Sequence, residues 1–271
     1  MRRRDFVTHS SAALALAGIR FEATRSDRLK RVGIQLYTVR DLMAKDPERT
    51  LAALATMGYR EVEFAGYGSK TPPQIKAMLA QNGLTAPSAH IELTNLRTDW
   101  QATLDRAAHI GHRYLVLAWL PSEERTLDHF RRHADLMTKA AETARKANIR
   151  FAYHNHDFEF QAVGGTVPYD LLAAATPAAL VQFELDLFWI TKAGQDPLAY
   201  FAKWPGRFPL VHVKDLGTNQ EMVDVGTGTI DFPTIFAQNP NLEHYFVEHD
   251  EPADSLAFAA KAVRYLKPLT F

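Results

Sequence analysis

Apolar and polar positions alternate in short runs along this chain, and between those runs the apolar period lengthens to that of a helix. The first run, RVGIQLYT (31–38), alternates Val32, Ile34 and Leu36 with Gly33, Gln35 and Tyr37, which predicts a strand. A helix is expected next, from Asp46 as cap through Pro47 in the first turn to Met57, with Gly58 ending it. YREVEFA (59–65) and LTAPSAHI (84–91) predict strands two and three, followed by helices over 71–83 and 99–110. YLVLAWL (114–120) is nearly all apolar, as a parallel strand covered on both faces should be. The longest helix, 128–146, brings Phe130, Ala134, Met137, Ala140, Ala141 and Ala144 to one side.

Strand five opens at Arg150, strand six spans 181–187, strand seven 209–214 and strand eight 245–249. Helical stretches at 168–175, 196–201, 231–238 and 253–266 alternate with them, and 215–229 reads as a long loop. Eight strand–helix units at a repeat of roughly 30 residues predict a parallel sheet. Such units close naturally into a (β/α)8 TIM barrel, here a single α/β domain over residues 26–271. A doubly wound open sheet is the alternative, but no GxGxxG follows strand one.

Composition narrows the chemistry. With 31 basic and 31 acidic residues, and no basic run in the body of the chain, nucleic acid is not an expected partner. The chain has no cysteine, which excludes disulfides, thiolate zinc sites and a cysteine nucleophile. It has 11 histidines.

The start, MRRRDFVTHSSAALALAG, resembles a twin-arginine export signal: Arg3 and Arg4, one variable residue, Phe6 and Val7, then an alanine/leucine-rich stretch. Residues 1–25 are therefore set aside as an export signal, and a periplasmic or otherwise exported protein is expected. No other stretch approaches the ~18 apolar residues of a spanning helix, so no membrane span is expected after signal cleavage.

Side chains two apart on a strand share a face. His154 and His156, Glu184 and Asp186, His212 and Lys214, and Glu248 and Asp250 are four such pairs, each where an apolar run gives way to a polar turn. Glu61 and Glu63 share a face of strand two, and Ser88 and His90 of strand three. In a (β/α)8 barrel the chemistry sits at the C-terminal strand ends, so the groups of strands five to eight, with Glu63 and His90 from strands two and three, are expected around one mouth. Imidazole with carboxylate suits Mn²⁺, Zn²⁺, Fe²⁺ or Co²⁺ better than Ca²⁺.

GIQLYTVRD, EVEFAGY, YHNHDFEF, FELD, HVKD and FVEHD together resemble the xylose-isomerase-like TIM-barrel superfamily of sugar phosphate isomerases/epimerases and inosose dehydratases. The resemblance covers the chain after the export signal. It implies a divalent metal held from strands five to eight, matched here by His154, Asp186, His212 and Glu248, with Glu184 as a further carboxylate. Manganese is the ion expected, with zinc, cobalt, iron or magnesium as alternatives. Strand five departs from the family pattern by carrying histidine where glutamate is usual, and Trp189 stands where epimerases carry histidine.

Of the two glutamates that epimerases use for proton transfer, only Glu248 remains. A one-sided reaction is therefore expected: proton abstraction beside a carbonyl, then loss of a β-oxygen, as in lyases and dehydratases acting on a keto-sugar or 3-keto-glycoside. Isomerisation or 3-epimerisation of a free ketose, or a non-catalytic sugar-binding module, are the alternatives. Glu248, His156, Lys214 and His90 are the expected catalytic groups, and Glu63, Tyr37, Trp119 and Trp189 the expected contacts to a small carbohydrate. Oligomeric state is open, a homo-oligomer included.

Overall fold

The computed structural model describes residue 29 and residues 31–271. The export signal expected over residues 1–25 lies outside the described residues. Eight parallel strands close into a barrel: β1 (Gly33–Gln35), β2 (Glu61–Phe64), β3 (Thr85–Ile91), β4 (Tyr114–Leu117), β5 (Arg150–His154), β6 (Val181–Asp186), β7 (Leu210–Val213) and β8 (His244–Val247). Each strand pairs with its neighbour in sequence, and β8 closes on β1. The fold is the expected (β/α)8 barrel. Among the described residues no helix is long and apolar enough to cross a membrane.

Strand parity divides the side chains. Residues such as Leu115, Leu117, Phe151, Tyr153, Phe183 and Leu185 point outward and join the core under the helices. The opposite parity fills the barrel: Tyr114, Val116, Ala152, Leu210 and Phe246 form a separate apolar cluster. Gly33 is required here, because a Cβ on it would stand 2.5 Å from Cδ1 of Phe246. Above this apolar layer the inward positions turn polar, and register brings them level: His154 pairs with Glu184, and Asp186 with His212.

The strands end earlier than the apolar pattern predicts. After Gln35 the chain turns into a 3-10 helix, Leu36–Val39, because the Gln35 side chain accepts the Tyr37 N–H at 3.1 Å. Tyr37 thereby leaves the strand and is exposed. β4 stops at Leu117, which leaves Trp119 in the following loop. β6 stops at Asp186, whose carboxylate accepts the Trp189 N–H at 3.0 Å and caps an unforeseen helix, Leu187–Lys192. Helices Arg40–Lys45 and Leu93–Thr98 are likewise additions.

The stretch expected as a plain loop, 215–229, contains a small antiparallel hairpin, Asp215–Leu216 with Met222–Val223. The Asp215 carboxylate gathers it by accepting the N–H groups of Leu216, Gly226, Gly228 and Ile230.

Candidate active site

A cavity of about 840 Å³ opens at the C-terminal ends of the strands. His90, His154, His156, Lys214 and Glu248 line it, with Tyr37 and Trp119 on the outer wall. Glu63, Glu184, Asp186 and His212 are fully buried. Glu63, expected as a carbohydrate contact, instead braces histidines: its Oε2 lies 2.7 Å from Nε2 of His212 and 3.3 Å from Nε2 of His90. Gln35 and Ser88 donate to the same carboxylate and hold it there. Trp189, another expected contact, is not on the cavity wall. It packs beside His156, with ring centroids 5.3 Å apart.

His212 is the hub. Its Nδ1 lies 2.7 Å from Glu248 Oε2, and its Nε2 3.1 Å from Glu184 Oε2. Glu184 Oε2 also meets His90 Nε2 at 2.8 Å and His154 Nδ1 at 3.2 Å, so three imidazoles surround one carboxylate oxygen. Lys214 Nζ sits among three other carboxylates: Glu248 at 2.8 Å, Asp250 at 2.8 Å and Asp186 at 3.1 Å.

Burial sets the electrostatics, and local charges decide the sign. Burial pushes Lys214 down, but Asp186, Glu248 and Asp250 outweigh it and keep the ammonium charged. Burial pushes Glu248 up, but Lys214 and His212 outweigh it and hold the carboxyl well below its usual range. Glu184 is likewise driven down to about 2, with His212 and His90 overcoming burial. His90 rises to about 9, because Glu63 and Glu184 overcome burial. Asp186 goes up to about 6, burial prevailing over Lys214 and His212.

Burial and the charges of His212 and His90 hold His154 well below the imidazole range, and burial and Lys214 take His156 down to about 3. Both are neutral imidazoles near pH 7. Nδ1 of His156 is buried without a hydrogen-bond partner, as is Nε1 of Trp189.

Two residues escaped the sequence reading. Asn155 continues the strand pairing with its side chain, accepting the Asp186 N–H at 3.0 Å and so fixing that carboxylate. Glu159 is fully buried and accepts from the Tyr153 hydroxyl at 2.6 Å and the His156 N–H at 2.9 Å. It anchors the turn that carries His156. The only available signal was a polar side chain within an otherwise apolar and histidine-rich motif.

Among the described residues two donor sets could hold a metal: His90, His154, Glu184 and His212, or Asp186, His212 and Glu248. Within each, the ligand atoms lie within 4.8 Å of one another. Glu184 Oε1 and Asp186 Oδ2 are buried without a hydrogen-bond partner, the latter in ion-pair contact with Lys214 but without a directed bond. Neutral His154 and carboxylate oxygens without a hydrogen bond fit a divalent transition metal.

Residues 51–238 match the family profile of the xylose isomerase-like TIM barrel. The chain belongs to that family. An inosose dehydratase of Geobacillus kaustophilus is 24% identical over 237 residues, covering 70% of this chain and 75% of that protein. A sugar phosphate isomerase/epimerase from Parabacteroides distasonis superposes with a TM-score of 0.77 at 26% identity, covering 90% of this chain and 96% of that one. The IolI protein, solved with a bound zinc atom, superposes with a TM-score of 0.70 over 86% of this chain and 95% of that one. At 13% identity that last likeness concerns the fold alone.

Proposed function

We propose that the protein is a divalent-metal-dependent enzyme that eliminates a β-oxygen substituent from a keto-sugar or 3-keto-glycoside. The observation that carries this reading is a neutral imidazole, His156, on the wall of the same cavity as the Lys214 ammonium and the metal-type donors. Similarity to an inosose dehydratase and to a sugar phosphate isomerase/epimerase supports a carbohydrate substrate, and the zinc of the IolI protein supports a metal.

His154 and His212, with carboxylate help, would hold the ion, which supplies Lewis acidity toward a carbonyl oxygen and a neighbouring hydroxyl. His156 takes the proton from the carbon beside the carbonyl, and the C–H electrons form the enolate. Lys214 places positive charge beside the oxygen that gains it. The enolate then collapses, the β-carbon–oxygen bond breaks, and the proton on His156 passes to the departing oxygen. Glu248, the base expected from the family resemblance, accepts from both Lys214 and His212, and in this reading it positions them.

Ketose isomerisation or 3-epimerisation is the second reading, favoured by the likeness to the Parabacteroides distasonis protein. Epimerisation would need Glu248 as the second proton-transfer group. The Arg3-Arg4 signal adds the proposal that the enzyme works after export, on a sugar without phosphate.

The test is to incubate protein lacking residues 1–25 with 4-nitrophenyl 3-keto-glucoside and free ketoses, with manganese or zinc and with chelator. Nitrophenol release with an unsaturated keto-sugar product, abolished by chelator, is expected. Epimerised ketose without elimination would select the second reading, and no turnover of any of these would leave only a sugar-binding module.

A further inference from the structure

The proposed metal dependence is compatible with either donor set. The family resemblance points to the strand-five-to-eight set, with Asp186 and Glu248. In this chain those two carboxylates already share a cation, since Nζ of Lys214 lies 3.1 Å from one and 2.8 Å from the other. Lys214 is itself 2% exposed, so this ammonium is built into the wall rather than resting at its edge. An ion between Asp186 and Glu248 would have to share their oxygens with that charge.

Among the described residues the deeper set has no lysine or arginine in ion-pair or hydrogen-bond contact with it. His90, His154 and His212 converge on Glu184 Oε2 from three strands, at 2.8, 3.2 and 3.1 Å. Their rings enclose the point, with centroids 5.1 Å apart for His90 and His212 and 4.5 Å for His154 and His212. The second oxygen of Glu184 is buried and unpartnered, an unmet cost for a carboxylate at that depth. Glu63, held by Gln35 and Ser88, faces the same Nε2 atoms of His90 and His212 and adds a second carboxylate beside the point. Glu248 accepts from the opposite nitrogen of His212, Nδ1, at 2.7 Å, as a carboxylate that orients a ligand imidazole would.

We propose that the divalent ion is seated by His90, His154, His212 and Glu184, with Lys214 serving as the cation between Asp186 and Glu248. This rests on the metal-dependent reading and deepens it. His90 becomes a ligand rather than a proton-transfer group. Three imidazoles and one carboxylate shift the expected ion from manganese toward zinc, iron, cobalt or copper.

Imidazole count separates the two sets, because the deep set has three histidines and the other, even with His154 added, has two. The probe is one equivalent of Cu²⁺ bound to protein lacking residues 1–25, with the imidazole nitrogens counted by pulsed EPR. Zinc affinity and stoichiometry are measured in parallel. Three imidazoles are expected in the unsubstituted protein and in Glu248→Gln, and two in His90→Gln, with zinc affinity lowered at least about 10-fold in His90→Gln.

Two imidazoles in the unsubstituted protein would overturn the proposal while leaving metal dependence intact. So would a count that His90→Gln does not change. No bound copper or zinc in any of them would overturn both. Should His90→Gln not fold, the count in the unsubstituted protein decides alone.

Discussion

Lys214 places its ammonium nitrogen 2.8 Å from Oε2 of Glu248, and neither residue is more than 5% exposed. A buried ion pair adds little net stability over an apolar pair of the same shape, yet removing one member leaves the other charge uncompensated. Lys214→Met leaves Asp186 and Glu248 without the ammonium between them, with only His212 nearby to offset their charge. The expected loss is about 3–5 kcal/mol of unfolding free energy. Lys214→Met/Glu248→Gln should recover part of it, because one of the stranded charges is gone. Urea unfolding of the two single variants and the double variant checks this, and additive losses would show that the pair is not coupled.

His156 has the only ring nitrogen among the described histidines that is buried without a hydrogen-bond partner. It is held by its own N–H on Glu159 and by the neighbouring rings of Phe158 and Trp189, so its imidazole is not needed to satisfy another group. His156→Gln should therefore lower kcat for the elimination by about 10²–10⁴ while the melting temperature stays close to that of the unsubstituted protein. A variant that melts normally and keeps full kcat would remove His156 from the proton transfer.

The polar face of the barrel was legible because strand parity is strict. His154, Asp186, His212, Lys214 and Glu248 could each be placed at an inward position of a strand end from spacing alone. What spacing could not supply was depth across strands. Between β2 and β3 the register shifts, so that Glu61 pairs with Thr85 but Glu63 with Ser88. That shift sets Ser88 and His90 against Glu63 and turns an expected substrate contact into a buried brace. Glu159 was illegible for a different reason: the turn Phe158–Phe160 folds back on β5, and no periodicity marks a contact made through a turn. The strand ends were overrun in the sequence because Leu36 and Leu187 continue the apolar pattern, while the caps from Gln35 and Asp186 stop the strands.

The proposal of export rests on Arg3 and Arg4, since the twin-arginine pathway reads that pair rather than charge in general. With Arg3 and Arg4 both replaced by lysine the net charge is unchanged. The variant should accumulate at full length in the cytoplasm of a bacterial host, whereas the unsubstituted chain should appear in the periplasmic fraction at a smaller mass. Equal fractionation of the two would sink the export proposal.

His112 ties the β2 loop to β3 and should make stability depend on pH. Its Nδ1–H donates to the Ala86 carbonyl at 2.6 Å, and its Nε2 faces the Tyr67 hydroxyl at 3.0 Å. Burial, only partly opposed by the Ala86 carbonyl, pushes the imidazole down to about 4 from an ordinary 6.5. Between those values the unfolded chain binds the proton and the folded one does not, so stability rises with pH across that window. The contribution is fully present above pH 6.5 and is lost as pH falls toward 4. The shift corresponds to about 3 kcal/mol. In His112→Gln, where the side chain cannot titrate, this part of the acid sensitivity should vanish. Unfolding free energies of the two proteins should therefore converge by about 3 kcal/mol between pH 7 and pH 4. A constant difference across that range would mean that His112 keeps an ordinary affinity for its proton inside the fold.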